Sequence, residues 1–232
     1  MNVRCLTVGA FQVNAYLLED STSSQCAVVD TGDGPQLANA LARMQPRPDL
    51  RAILLTHAHF DHAGGLADVQ REFPEALTYL PALERPMFDV LPQQGSLLFG
   101  VADFGRPGGR IDREVRDGDT IEVGGMRFHF LSTPGHTPGQ GCYYDDTYVF
   151  VGDTLFAGSI GRTDFPMSDP ELMQVSLGRL LELPGHLLVC SGHGPVTTLE
   201  QELRTNPFLG HVRRARGMAE SHWSPASGPR WG

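Results

Sequence analysis

Four side chains able to bind a metal fall within six residues. They are His57, His59, Asp61 and His62, in the stretch Thr56-His57-Ala58-His59-Phe60-Asp61-His62-Ala63-Gly64-Gly65. Neutral imidazole and carboxylate are first-choice ligands for zinc and similar divalent ions. The alternate residues His57 and His59 can point to one side of an extended turn while Asp61 and His62 diverge toward another, which suits two metals better than one. The bland alternative is a solvated loop that happens to be rich in histidine. Three turns downstream argue against it. His136 stands at the apex of Ser132-Thr133-Pro134-Gly135-His136-Thr137-Pro138-Gly139, Asp153 follows Gly152, and His193 lies in Ser191-Gly192-His193-Gly194-Pro195. Seven candidate ligands divide into two sets sharing a carboxylate. An Asp shared by cations about 3.5 to 4 Å apart is an architecture for activating a bridging water.

Ligands of this kind need rigid elements to hold them, and each turn follows a β-prone run: Ala52-Ile53-Leu54-Leu55, Met126 to Leu131, Tyr148 to Val151, and Leu187 to Cys190. Apolar runs of this length read as buried strands. Residues 3 to 8, 15 to 19 and 26 to 30 open the chain as an antiparallel meander. Helices are expected over Gln36 to Met44, Leu66 to Phe73, Ala82 to Leu91 and Pro170 to Leu181, and after the capping box at Thr198. Asp30 could reach the metal ligands from behind or cap its turn, and is read as a turn cap; His129 reads as a structural residue of a hairpin about Gly124-Gly125. Phe156 to Asp169 reads as a loop. The Gly-rich span Pro92 to Gly109, with Phe99 and Phe104, is the least regular stretch and is expected to shape substrate choice. Residues 1–211 form the expected domain. Residues 212–232 lack core-forming periodicity and are expected to be a flexible tail, with His211, Arg213, Arg214, Arg216 and His222 solvated.

The 232 residues suffice for one large domain that buries roughly 70% of its unfolded surface. All 18 basic residues are arginine, so no lysine is available as nucleophile or Schiff base. A net charge of −9 disfavours nucleic acid and anionic membranes as partners. The amino terminus lacks a signal-peptide pattern and no apolar stretch is long enough to span a bilayer, so the expected location is cytoplasmic. Cys5, Cys26, Cys142 and Cys190 form no Cys-x-x-Cys pair and read as reduced core residues.

The His-x-His-x-Asp-His run, followed in order by the isolated His136, Asp153 and His193, resembles the metallo-β-lactamase superfamily over nearly residues 3 to 209. Within it the chain is similar to the small glyoxalase II-like hydrolases. That similarity is carried by Asn14-Ala15-Tyr16, Gly161-Arg162-Thr163-Asp164-Phe165, Gly192-His193-Gly194-Pro195-Val196-Thr197-Thr198 and Asn206-Pro207-Phe208. The resemblance implies a single-domain α/β fold, a four-layer αββα sandwich. It implies two divalent metal ions, zinc foremost with iron or manganese also compatible. His57, His59 and His136 would hold the first, Asp61, His62 and His193 the second, and Asp153 would bridge them. Full-length glyoxalase II carries a carboxy-terminal helical domain supplying much of its glutathione pocket, and this chain has no room for one. It also has Arg162 where that family has a lysine. Arg162 could bind a substrate carboxylate in bidentate fashion or form a salt bridge with Asp164.

The implied activity is hydrolysis of a small-molecule thioester such as S-acylglutathione by water activated between the metals, with Asp61 orienting it. The competing enzyme reading is a mononuclear-iron persulfide dioxygenase, since that family also carries a Gly-Arg-Thr-Asp-Phe loop. A non-catalytic binding protein on the same fold would be expected to have lost ligands, and all seven are present. The sequence leaves oligomeric state open.

Overall fold

In the computed structural model, residues 1–100, 108–215 and 217 are described. The first half contains β1 (Asn2–Val8), β2 (Val13–Glu19), β3 (Gln25–Val29), α1 (Gln36–Ala42), β4 (Asp49–Leu54), α2 (Phe60–Ala63), α3 (Leu66–Glu72), β5 (Leu77–Pro81), α4 (Arg85–Asp89), α5 (Gln94–Phe99) and β6 (Arg113–Val115). The second contains β7 (Thr120–Val123), β8 (Met126–Ser132), β9 (Gly141–Tyr144), β10 (Tyr148–Gly152), β11 (Leu155–Phe156), β12 (Ser159–Ile160), α6 (Pro170–Leu180), β13 (Leu188–Ser191), β14 (Thr197–Thr198), α7 (Leu199–Thr205) and α8 (Gly210–Ala215).

Two six-stranded sheets result, ordered β1-β2-β3-β4-β5-β6 and β14-β13-β10-β9-β8-β7. The opening meander is antiparallel, and β3, β4, β5 and β6 then run parallel. Strands buried on both faces explain the near-continuous apolar runs. In β2, Ala15 and Leu17 face the first-half helices while Tyr16 and Leu18 face the other sheet. In β10, Phe150 faces the first sheet while Val149 and Val151 pack beneath α6. Three apolar layers thus separate helices, sheet, sheet and helices, which is the expected αββα sandwich.

Several local expectations are corrected. The loop after Phe156 holds the short β11–β12 hairpin, and α5 occupies part of the Gly-rich span; residues 101–107, with Phe104, lie outside the described residues. Cys5 is exposed, whereas Cys26, Cys142 and Cys190 are buried. Helix α8 continues the fold across position 212. Val212 packs into the core, and Arg213, expected in solvent, is 5% exposed and donates to the carbonyls of Leu203 and Asn206. The carbonyls at a helix end need donors, and a buried guanidinium supplies them here. Arg216 and His222 lie outside the described residues.

Candidate metal centre

All seven predicted ligands converge where four strands end. After β4 the chain bends at Thr56, is extended at His59 (φ −68°, ψ 146°) and then turns helical in α2, with His62 N–H returning to His59 O at 3.0 Å. The helical turn sends Asp61 and His62 back toward the strand. Consequently His62, expected to diverge from His57, lies beside it, with ring centroids 4.1 Å apart. The ligand atoms group as His57, His59 and His136; as His57, His62 and Asp153; and as Asp61, His62 and His193, with the atoms of these groups within 4.8 Å of one another. Asp153 lies between. Its Oδ1 is 3.3 Å from His62 Nε2, and its Oδ2 is 3.5 Å from His136 Nε2 and 3.7 Å from His193 Nε2.

Acceptors outside this cluster orient its rings. His62 Nδ1 lies 2.8 Å from Asp30 Oδ2, and His57 Nδ1 lies 3.1 Å from Thr56 Oγ1, which itself donates to Asp30. His136 Nδ1 is 2.8 Å from the Arg162 carbonyl. Each contact keeps the Nδ1 proton outward and turns Nε2 with its lone pair inward, as a metal ligand requires. Asp30 therefore does more than cap a turn: it anchors two ligand histidines from a buried position with φ 58°. Asn14 and Tyr16 act similarly on the fourth turn. Asn14 Nδ2 donates to the carbonyls of Ser191 and Gly194, and the Tyr16 hydroxyl donates to Ser191 O at 2.7 Å. Gly192 is required by close approach, since a Cβ there would lie 2.5 Å from both Asp153 Oδ1 and His62 Cε1.

The donor set fits divalent metal. His57 Nε2, His62 Nε2 and Asp153 Oδ1 are buried with no hydrogen-bond partner, although unpaired buried polar atoms are costly. His136 Nε2 and His59 Nδ1 face each other at 2.9 Å, a contact that a cation between ring lone pairs would relieve. Burial pulls His57 far below the usual imidazole range and brings His59 to about 3, so both are neutral at physiological pH, the form in which imidazole binds metal. Burial would also lower His62, but Asp153, Asp61 and Asp30 outweigh it and raise the ring well above 6.5. The same contest, won by Asp61 and Asp153, raises His193. Burial would lift Asp61 and Asp153, yet His62 leads the interactions that hold both below the ordinary carboxylate value.

The centre opens into a cleft of about 300 Å³ lined by Phe11, Phe156, Phe165 and Arg162 above the ligands. Arg162 is paired to Asp164 through two 2.8 Å hydrogen bonds and its guanidinium lies over the Phe165 ring at 4.2 Å. The salt bridge anticipated from sequence is thus formed, while the side chain remains 64% exposed at the cleft. Phe11 gave no sequence signal; it stands in the short β1–β2 turn and packs edge-on against Phe60.

A profile of the metallo-beta-lactamase superfamily matches residues 8–193. The chain belongs to that superfamily. Over 218 residues this metallo-β-lactamase-fold chain is 33% identical to the hydroxyacylglutathione hydrolase GloC of Haemophilus influenzae, covering 90% of this chain and 98% of that protein. It is 38% identical over 213 residues to the probable metallo-hydrolase YqgX of Bacillus subtilis, with 90% and 98% covered. Among solved structures it is similar to the BLEG-1 B3 metallo-beta-lactamase (TM-score 0.81, 34% identity, 90% of this chain and 99% of that one) and to TTHA1623 in a di-iron-bound form (0.77, 40%, 89% and 100%). ETHE1 from Myxococcus xanthus follows at 0.72 and 26% identity, with 94% and 92% covered. The chain is a metallo-hydrolase of this superfamily, and its His/Asp cluster is suited to divalent metal. No helix among the described residues is long and apolar enough to cross a membrane.

Proposed function

We propose that the chain hydrolyses thioesters of the S-acylglutathione type at a binuclear centre. The observation that carries the reading is the convergence of seven candidate ligands, with Asp153 near His62, His136 and His193 and with inward-facing ring nitrogens left without hydrogen-bond partners. In this reading His57, His59 and His136 hold one divalent ion and Asp61, His62 and His193 the other, zinc being the foremost candidate. When bound, such ions supply Lewis acidity and lower the pKa of a water toward about 7.

The protein's own groups do the positioning. Asp61, 15% exposed at the cleft floor, accepts a hydrogen bond from the attacking water and aims its oxygen at the acyl carbonyl. Arg162 offers its outer guanidinium edge to a substrate carboxylate, and its carbonyl meanwhile fixes the His136 ring. Phe11, Phe156 and Phe165 shield the thioester from bulk water. A thiolate leaving group, with a conjugate-acid pKa of about 8.5, departs without a strong general acid. The relative named a hydroxyacylglutathione hydrolase, aligned along 98% of its length, supports this substrate class.

The test is loss of thioester absorbance with S-acylglutathiones, comparing wild type with Asp61→Asn. Wild-type turnover with a fall of roughly 100-fold or more in kcat for the variant is expected. Unchanged turnover in Asp61→Asn would remove its assigned role. Oxygen uptake with a persulfide and no thioester hydrolysis would replace the activity itself.

A further inference from the structure

Two buried polar side chains outside the ligand set grip the loop carrying His57 and His59. Glu84, between β5 and α4, and Gln94, at the start of α5, are both 0% exposed. Glu84 Oε2 accepts from Ala58 N–H and Oε1 from Gly139 N–H, each at 2.7 Å. Gln94 Oε1 accepts from Phe60 N–H at 2.8 Å, while its Nε2 donates to Ala58 O at 2.7 Å and to Met87 O at 3.2 Å. Both backbone polar groups of Ala58, the residue between two ligand histidines, are therefore held by side chains. Glu84 also spans to the turn that presents His136.

A fully buried carboxylate is a costly way to fill space. Charge-assisted bonds to two backbone amides on different loops make it an effective strut. Contact is also tight on the far side, where a Cβ at Gly139 would lie 2.6 Å from Glu84 N. His62 and His193 have further anchors in Asp30, Asn14 and Tyr16, of which Asp30 also reaches His57 through Thr56, whereas the Glu84 carboxylate bonds to Ala58 and Gly139.

We propose that Glu84 and Gln94 are positioning residues that fix the spacing between the His57/His59 loop and the His136 turn, and so set metal affinity at that group and not at Asp61, His62 and His193. The inference rests on the binuclear reading above. Support from one side is expected to matter because partners behind metal ligands typically change affinity by about 10–100-fold when removed.

Cobalt(II) titration of metal-free protein, read by its visible absorption and by competition with a chromophoric chelator, tests this. Wild type is expected to show two sites. Glu84→Gln, which places an amide NH2 against one backbone N–H, is expected to weaken one site by about 10–100-fold and leave the other unchanged. The same substitution should add a second weakened site to His193→Ala and have no further effect in His136→Ala. Circular dichroism of the metal-free forms checks folding, and Gln94→Glu, which loses only the donor half of its contacts, carries the same comparison if Glu84→Gln does not fold. Two sites of unaltered affinity in the variants, or an equal fall at both, would overturn the proposal. A wild-type protein that binds no cobalt would overturn the metal reading on which it stands.

Discussion

Replacing Asp30 by Asn should disturb the centre from outside its ligand set. Three donors meet this carboxylate: Thr56 N–H at Oδ1 (2.8 Å), Thr56 Oγ1 at Oδ2 (2.8 Å) and His62 Nδ1 at Oδ2 (2.8 Å). An Asn side chain fits the same space but has one acceptor oxygen. With that oxygen toward His62, the amide NH2 opposes Thr56 N–H. With it reversed, the NH2 opposes His62 Nδ1, favouring the tautomer that blocks Nε2. Either orientation leaves about one buried hydrogen bond unmade, a loss of about 1–3 kcal/mol. If the loss falls on the fold, the metal-free thermal midpoint drops by about 2–12 °C. If it falls on His62, metal affinity drops by about 10–100-fold. Calorimetry of the metal-free form together with chelator competition reads both. Asp30→Asn with an unchanged midpoint and unchanged affinity would refute the assignment of Asp30 as an anchor.

Arg162→Met should leave the thermal midpoint unchanged, since exposed ion pairs contribute little, but raise KM roughly tenfold for a carboxylate-bearing thioester with little change in kcat; an unaltered KM would confine Arg162 to its pairing with Asp164. Asn14→Ala should weaken metal binding through the Ser191–Gly194 turn, by roughly tenfold, and chelator competition giving wild-type affinity would count against that support. In the metal-free protein His62 and His193 have raised pKa values, so their protonated forms stabilise the fold most fully below pH 6.5, and this is lost as pH rises through the folded values. Above pH 7 His57 and His59 are neutral both folded and unfolded, so they do not mask the effect. From pH 7 upward the metal-free midpoint should fall while the increment produced by added zinc grows; calorimetry showing a constant increment would contradict this.

The clustering of the seven candidate ligands was legible because each follows an apolar strand, so local pattern and chemistry coincide at Leu55-Thr56-His57 and at Cys190-Ser191-Gly192-His193. The layer order was legible for a related reason: runs such as Ala52-Ile53-Leu54 alternate between two apolar layers and leave no polar face. The supports were not. Glu84 and Gln94 lie in short helical stretches where charged and amide residues normally face water, and only the approach of two loops distant in sequence buries them. Asp30 and Thr56 are 26 residues apart, so a capping role was the local reading that tertiary contact overrode. Arg213 misled for the opposite reason, its Arg-rich surroundings suggesting solvent although the fold brings the carbonyls of Leu203 and Asn206 within its reach.

The binuclear centre is the central claim, and metal content per chain tests it most directly, by elemental analysis of protein purified without added metal. About two equivalents of zinc, iron or manganese are expected, falling toward about one in His193→Ala. A single equivalent of iron in wild type, unaltered in His193→Ala, would contradict the binuclear hydrolase and favour oxygen-dependent chemistry at one metal.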